Sequence, residues 1–344
     1  MTRIVVAGAA HPHVDYVLDE VSRSPDLQLI AVADPVRELA EKCAAPYGAR
    51  VFTDHRRMFD EVRADVVVTA GVYGDRGRIV VDALDAGCHV LADKPLCTTL
   101  DEVDAIASAA RRSGRQVVLM LEKRYYPETL AALDLVRADT LGKITGVLSS
   151  APHKLNRPRR PGWFFDRARY GGILADLVVH DIDAALCFTG LTTGTVRGNV
   201  AGTVPGTTDF APYGVATLTG ADVLVTTEVS WMTPAASAVH GDYRMRLVGT
   251  RGTADLLWAR RRLVVTTDDD ATHDVELPGG FRPAQLPLRA LAQGEAPDIS
   301  TGHSLLATRL ALLAQQSADA GGTGIAWSAP PASSLRPSPP TPCA

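Results

Sequence analysis

Asp176 and His180 stand four residues apart in the apolar run from Ile173 to Thr189, and Asp183 follows three residues later. At helical spacing these side chains share one face. An imidazole can take a hydroxyl proton near neutral pH, and a neighbouring carboxylate can orient it and stabilise its cation. That is the proton-transfer half of an alcohol oxidation. Read from the residues alone, such a pair is more often structural than catalytic. No third ligand stands at a spacing that would complete a metal site, so no metal is expected.

A second chemical signal is the segment Asp93-Lys94-Pro95, delivered by the apolar run that starts at His89. In open α/β sheets ligands bind at the carboxyl edge of the strands, which is where this tripeptide falls. Pro95 restricts the backbone of Lys94. A lysine held there can donate to a substrate hydroxyl and stabilise negative charge on its oxygen as hydride leaves. A solvated surface lysine is the plain alternative.

The third signal is the first loop, Gly8-Ala9-Ala10-His11-Pro12-His13. The usual dinucleotide fingerprint carries three glycines, and only the first remains here. The context is nevertheless that of a strand, a tight turn and a helix whose N-terminus can bind an anion. Pro12 suits the first turn of that helix. Asp34 ends the next apolar run and can accept hydrogen bonds from both ribose hydroxyls. It would repel a 2′-phosphate, which favours NAD. Arg37, one turn on, softens that repulsion and leaves NADP open. Capping of the next helix is the structural alternative for Asp34.

These residues need a scaffold. From Arg3 to Leu121, β-branched runs alternate with helical patterns across short connections. That predicts a parallel sheet with right-handed crossovers, an α/β dinucleotide-binding domain over residues 1–121. From Glu122 the pattern changes to one helix, a strand, a helix over Ile173–Thr189, and then β-rich runs separated by turns. This predicts an α+β domain over residues 122–320 with a large, mostly antiparallel, open-faced sheet. Ser304 to Ala320 reads as a closing helix. Residues 321–344 are rich in Gly, Pro and Ser, and are expected to be a disordered tail.

Composition excludes several classes. The 344 residues carry a formal net charge of -4, with 46% hydrophobic and 22% charged residues. That balance argues against nucleic acid as the main partner. The one dense basic run, Arg157 to Arg160, is broken by Pro158. No signal peptide and no membrane span are expected. Five scattered cysteines form no CxxC pair, which fits a reducing cytoplasm. The open sheet face predicts a homo-oligomer, dimer or tetramer.

The order of glycine loop, strand-end aspartate and Asp93-Lys94-Pro95 resembles the glucose–fructose oxidoreductase, inositol dehydrogenase and rhizopine-catabolism (Gfo/Idh/MocA) family. The segment Glu122-Lys123-Arg124-Tyr125-Tyr126-Pro127 is similar to the family's entry into its substrate domain. The run Gly171-Gly172-Ile173 through Asp176 and His180 to Asp183 resembles its GGxLxDxxxHxxD pattern, and Gly249 to Gly252 resembles its GTxG turn. The resemblance covers roughly residues 3 to 320 and implies a Rossmann domain and an NAD(P)-dependent dehydrogenase. Hydride would pass between nicotinamide and a secondary alcohol of a sugar, polyol or glycoside.

The resemblance further implies a trio of Lys94, Asp176 and His180. His180 would be the base, Asp176 would contact the substrate or its proton, and Lys94 would position the reacting oxygen. Cofactor contacts are expected from Gly8, Ala9, Ala10, His11, Pro12, His13, Asp34, Arg37, Val72, Asp93, Lys94 and Pro95. Substrate contacts are expected from Arg124, His153, Trp163 and Asp166, with Trp163 covering the apolar face of a sugar ring. An NAD-dependent glycosidase acting by transient oxidation and a non-enzymatic nucleotide-binding regulator remain alternatives. The sequence departs from the family in its degenerate glycine loop, in Asp93 where glutamate is usual, and in Val178 and Val179 between Asp176 and His180.

Overall fold

The computed structural model describes residues 1–330. The first half is a six-stranded parallel sheet in the order β3-β2-β1-β4-β5-β6. Its strands are β1 (Thr2–Ala7), β2 (Leu27–Ala33), β3 (Arg50–Phe52), β4 (Val66–Thr69), β5 (His89–Asp93) and β6 (Val117–Met120). Five helices cover it: α1 (Val14–Arg23), α2 (Arg37–Ala44), α3 (His55–Glu61), α4 (Tyr73–Asp85) and α5 (Leu100–Ser113). The central strands are buried along their length, as β4 shows with four buried residues in four, because helices lie on both faces. Local chemistry marks the helix ends. Asp54 caps α3, Thr99 and Glu102 close a capping box on α5, and Gly114 ends α5 in the left-handed conformation.

The second half begins with α6 (Pro127–Arg137) and β7 (Ile144–Pro152), followed by three helices: α7 (Arg167–Tyr170), α8 (Ile173–Leu177) and α9 (Val179–Thr189). A run of strands follows: β8 (Thr193–Ala201), β9 (Tyr213–Thr219), β10 (Leu224–Ser230), β11 (Arg244–Gly249), β12 (Gly252–Leu257), β13 (Arg262–Thr267) and β14 (His273–Asp274). The chain then forms α10 (Gln285–Gln293), α11 (Thr301–Asp319) and β15 (Ile325–Ser328). These strands form a nine-stranded sheet, β14-β13-β12-β11-β7-β10-β9-β8-β15. Only the β7–β10 pair is parallel, with Val147 opposite Val225. Helices α8, α9 and α11 pack on one face; the other face leaves Leu148 and Leu224 more than half exposed.

The two halves are joined closely. Thr301 and Ser304 of α11 accept from the backbone N–H groups of Val117 and Leu119, so the edge of β6 is closed by side-chain hydroxyls.

Two sequence expectations need correction. The predicted helix over 173–189 is two helices separated at Val178, so Asp176 and His180 lie on different segments. The tail expected to be disordered from 321 instead supplies β15, whose Ile325–Ser328 pair with Thr193–Val196 of β8. The remainder of that tail, 331–344, lies outside the described residues. Strand β12 and helix α10 were not anticipated. The GTxG turn proves to be the hairpin between β11 and β12, in which Val248 pairs with Thr253.

Candidate active site

The first loop leaves β1 at Gly8, whose φ of +90° is left-handed. A Cβ placed on Gly8 would lie 2.7 Å from the Cα of Gly71. Two loops at the carboxyl edge therefore touch backbone to backbone, with no room for any side chain. Asp34, buried at the end of β2, accepts from the Ala9 N–H through Oδ2 (2.7 Å) and from the Val36 N–H through Oδ1 (2.9 Å). A carboxylate has about four lone-pair positions, so two remain for other donors. A backbone approach at Gly8 and a buried strand-end carboxylate fit the phosphate and ribose ends of a dinucleotide. Arg37 is exposed and pairs with Glu41 at 2.7 Å.

Asp93 is wholly buried and its carboxylate gathers three side chains. His13 Nδ1 lies 2.8 Å from Oδ1, His11 Nδ1 3.1 Å from Oδ2, and Arg76 Nη2 donates to Oδ2 at 2.9 Å. Arg76, itself fully buried on α4, also donates to the carbonyls of Gly71, Asp93, Lys94 and Pro95 at 2.6 to 3.0 Å. One guanidinium thus fixes the backbone that presents Lys94, and the Lys94–Pro95 peptide it grips is cis. Burial raises the Asp93 carboxyl, but His13 and Arg76 outweigh it and hold the group well below the usual range. His11 is pushed down to about 4 by burial, against the pull of Asp93.

Lys94 Nζ donates to Asp176 Oδ1 at 2.6 Å, bringing β5 of one half to α8 of the other. Asp176 is fully buried, and its Oδ2 has no partner among the described residues. His180 sits beside them, 4% exposed, with Nδ1 unpartnered among the described residues. Burial, then Lys94 and then Lys123, hold its imidazole well below the ordinary histidine value. Asp176 thus pairs with Lys94 through Oδ1, and among the described residues no hydrogen bond joins it to His180. The backbone at Val178, between them, stays right-handed (φ -70°, ψ -15°). What the site offers is a neutral imidazole, an ammonium and a carboxylate oxygen converging where water is largely excluded.

A second buried pair went unanticipated: Lys123 Nζ donates to Asp181 Oδ2 at 2.7 Å. Lys123 also lies over the rings of Tyr243 and Trp258, at 5.0 and 4.8 Å. The available signal was a charged residue in an otherwise apolar run, Val178-Val179-His180-Asp181-Ile182. Its partner could not be named, because 58 residues separate the two. His153 lies 4.8 Å from the Tyr243 ring. Its Nδ1 is 2.9 Å from the Ala151 carbonyl, so that nitrogen carries the proton and Nε2 is left as an acceptor.

Two of the other expected substrate contacts, Arg124 and Asp166, are engaged elsewhere. Arg124 donates to both oxygens of Asp183, at 3.1 and 2.5 Å, and lies 3.0 Å from His303 Nε2. It is locked between α9 and α11. Asp166 is exposed and caps α7 through the Ala168 N–H. Trp163 is half-buried and packs edge-on to Tyr73 at 5.0 Å, which leaves part of its surface accessible. Among the described residues two groups have potential metal-ligand geometry, His11/His13/Asp93 and Asp183/Cys187/His303. An arginine already donates into each, Arg76 into the first and Arg124 into the second. A guanidinium at that range opposes a cation.

Two family profiles match this chain. Residues 2–121 match the oxidoreductase family with an NAD-binding Rossmann fold, and residues 129–255 match the C-terminal domain of the same family. The chain belongs to the Gfo/Idh/MocA family of NAD-binding oxidoreductases. Its sequence is 30% identical over 197 residues to the D-glucoside 3-dehydrogenase of Escherichia coli, a match covering 55% of this chain and 54% of the relative. The alignment thus spans about half the length of that relative. A putative oxidoreductase from Thermotoga maritima superposes with a TM-score of 0.87 at 24% identity, covering 94% of this chain and 100% of that one. Levoglucosan dehydrogenase in complex with NADH superposes with a TM-score of 0.81 at 17% identity, covering 96% and 99%. At those identities the two structures speak to the fold.

Proposed function

We propose that this protein oxidises a secondary hydroxyl of a sugar or glycoside, with NAD as the hydride acceptor. Bound nicotinamide supplies the redox chemistry; the chain's own residues hold the alcohol and move its proton. His180, neutral because burial and two lysines disfavour its cation, takes the hydroxyl proton. Lys94 donates to the same oxygen and stabilises the charge that develops there. Asp176 holds the Lys94 ammonium in place and keeps Oδ2 free for a neighbouring hydroxyl. His153 and the exposed side of Trp163 complete the ring's surroundings, and Asp34 receives the ribose. The relationship to a glucoside 3-dehydrogenase favours a glucoside over an acyclic polyol.

The observation that carries this reading is the Lys94–Asp176 contact of 2.6 Å beside His180, built from both halves of the chain at the carboxyl edge of the parallel sheet. The test is a panel of sugars, polyols and glycosides with NAD and NADP, read as net NADH or NADPH formed. His180→Ala should lower turnover about 10²–10⁴-fold, with NADH binding retained. A panel with no net reduced nicotinamide, or a His180→Ala protein of unchanged rate, overturns the proposal. Glycoside cleavage without net NADH would instead place the protein among hydrolases that oxidise transiently.

A further inference from the structure

A pocket of about 400 Å³ lies in the second half of the chain, and none of Lys94, Asp176 and His180 lines it. Tyr126, Tyr243 and Trp258 supply aromatic walls, and Val239 and Arg261, both exposed, place its mouth at the surface. The Trp258 indole N–H donates to Thr129 Oγ1 at 2.9 Å, so that wall is held and its polar edge is satisfied.

Two charged residues belong to the lining, Glu128 in the first turn of α6 and Arg261 between β12 and β13. Glu128 is 2% exposed, and its Oε1 has no partner among the described residues. A buried carboxylate oxygen without a donor is rare, because it forfeits its hydration without replacement. Burial raises this carboxyl, against the pull of its own backbone N–H and of Arg261. Arg261 is thus near enough to act on Glu128 without donating to its Oε1. Its neighbours Arg260 and Arg262 pair with Asp242 and Asp274. Arg261 itself has no ion-pair partner among the described residues and holds φ at 52°. That left-handed backbone is unfavourable for a residue with a Cβ. Behind the aromatic walls, Lys123 lies over the rings of Tyr243 and Trp258, but Asp181 neutralises it at 2.7 Å. His240, also in the lining, is held below the ordinary histidine value, chiefly by burial. The pocket therefore presents one negative and one positive charge.

We infer that this pocket binds a zwitterion, an α-amino acid with an apolar side chain, at a site separate from that of the reacting alcohol. An α-amino acid carries its ammonium and its carboxylate on one carbon. It fits between two opposite charges that act on each other across a gap. The ammonium donates to the unpartnered Glu128 oxygen, and the carboxylate accepts from the planar Arg261 guanidinium. The side chain lies against the aromatic walls. A simple amine or a simple acid answers one of the two charges and leaves the other unmatched. The volume stands toward the lower end of the roughly 300–1,000 Å³ of small-molecule sites, which suits a ligand of this size. The inference goes beyond the reading of the oxidising centre and does not depend on it.

The test is calorimetric titration of the full chain near neutral pH with L-phenylalanine and L-leucine, and with the amine and the acid that match each. At least one amino acid should bind one to one. Its amine and acid counterparts, each lacking one charge, should bind at least about tenfold more weakly. Glu128→Gln, nearly isosteric, and Arg261→Gly, which also relieves the left-handed backbone, should each weaken binding at least about tenfold. The Gly variant carries the comparison if the Gln variant does not fold. Saturating NADH and His180→Ala should leave the affinity unchanged. No saturable binding of either amino acid overturns the site. So does an amine or acid that binds as tightly, an affinity unchanged in the folded variants, or displacement by NADH.

Discussion

Replacing Arg76 by Met removes the one permanent cation on the buried Asp93 carboxylate. Both side chains are fully buried in the wild-type protein and lie 2.9 Å apart. Breaking a buried ion pair by removing one partner costs about 3–5 kcal/mol, because the other charge is left uncompensated. At about 2.1 cal/mol/K per residue the 344-residue chain unfolds with an entropy of roughly 0.7 kcal/mol/K, so each kcal/mol moves Tm by roughly 1.4 °C and the expected loss is about 4–7 °C near neutral pH. The pH dependence makes the reasoning sharper. His11 is pushed down to about 4 with Arg76 present, so it folds neutral. The unfolded value is about 6.5, so the folded state binds fewer protons below that pH, and stability falls between about pH 6.5 and 4. The full loss amounts to about 3 kcal/mol. Without Arg76, Asp93 draws a proton onto His11, and this acid loss shrinks. The gap between variant and wild type should therefore narrow on going from about pH 7.5 to about pH 5. Calorimetric melts of both proteins at the two pH values measure it. A neutral-pH Tm within about 2 °C of wild type, or a gap that widens in acid, refutes the account.

Three further outcomes are expected. The pH profile of kcat/KM for oxidation should show no acidic limb at the ordinary histidine value of about 6.5, since the depressed His180 stays neutral well below it; a limb at or above that value counts against His180 as the base. Lys94→Met should lower kcat/KM by about 10²-fold or more while NADH titration still shows binding; loss of both would mean that the substitution collapses the site rather than removing a hydrogen bond. Asp34→Ser should raise the NADP-to-NAD ratio of kcat/KM at least about tenfold, by removing the charge that opposes a 2′-phosphate. An unchanged ratio would limit Asp34 to its hydrogen bonds with Ala9 and Val36.

Much of the architecture was legible in local pattern. Continuous β-branched runs such as Val66–Thr69 announce strands buried on both faces, and their alternation with amphipathic helices gives the parallel sheet. Gly8, Asp34 and Lys94 were readable because each ends a strand, and strand ends in such sheets face ligands. Short or exposed elements were harder to see. Strand β12 carries only alternate buried positions, and β15 lies in a segment rich in Gly and Ser, where pairing with β8 supplies what local propensity does not.

Residue types and their order along the chain were thus enough to define the family, the two halves and the strand-end positions of Gly8, Asp34 and Lys94. Which charges meet was settled only by the fold. Asp176 pairs with Lys94, Asp181 is taken by Lys123, and Arg124 is drawn off to Asp183 and His303. Spacing along a helix constrains only near neighbours, whereas these pairs span 82, 58 and 59 residues. Packing brings them together, and burial leaves few charges unpaired, so each choice of partner excludes another.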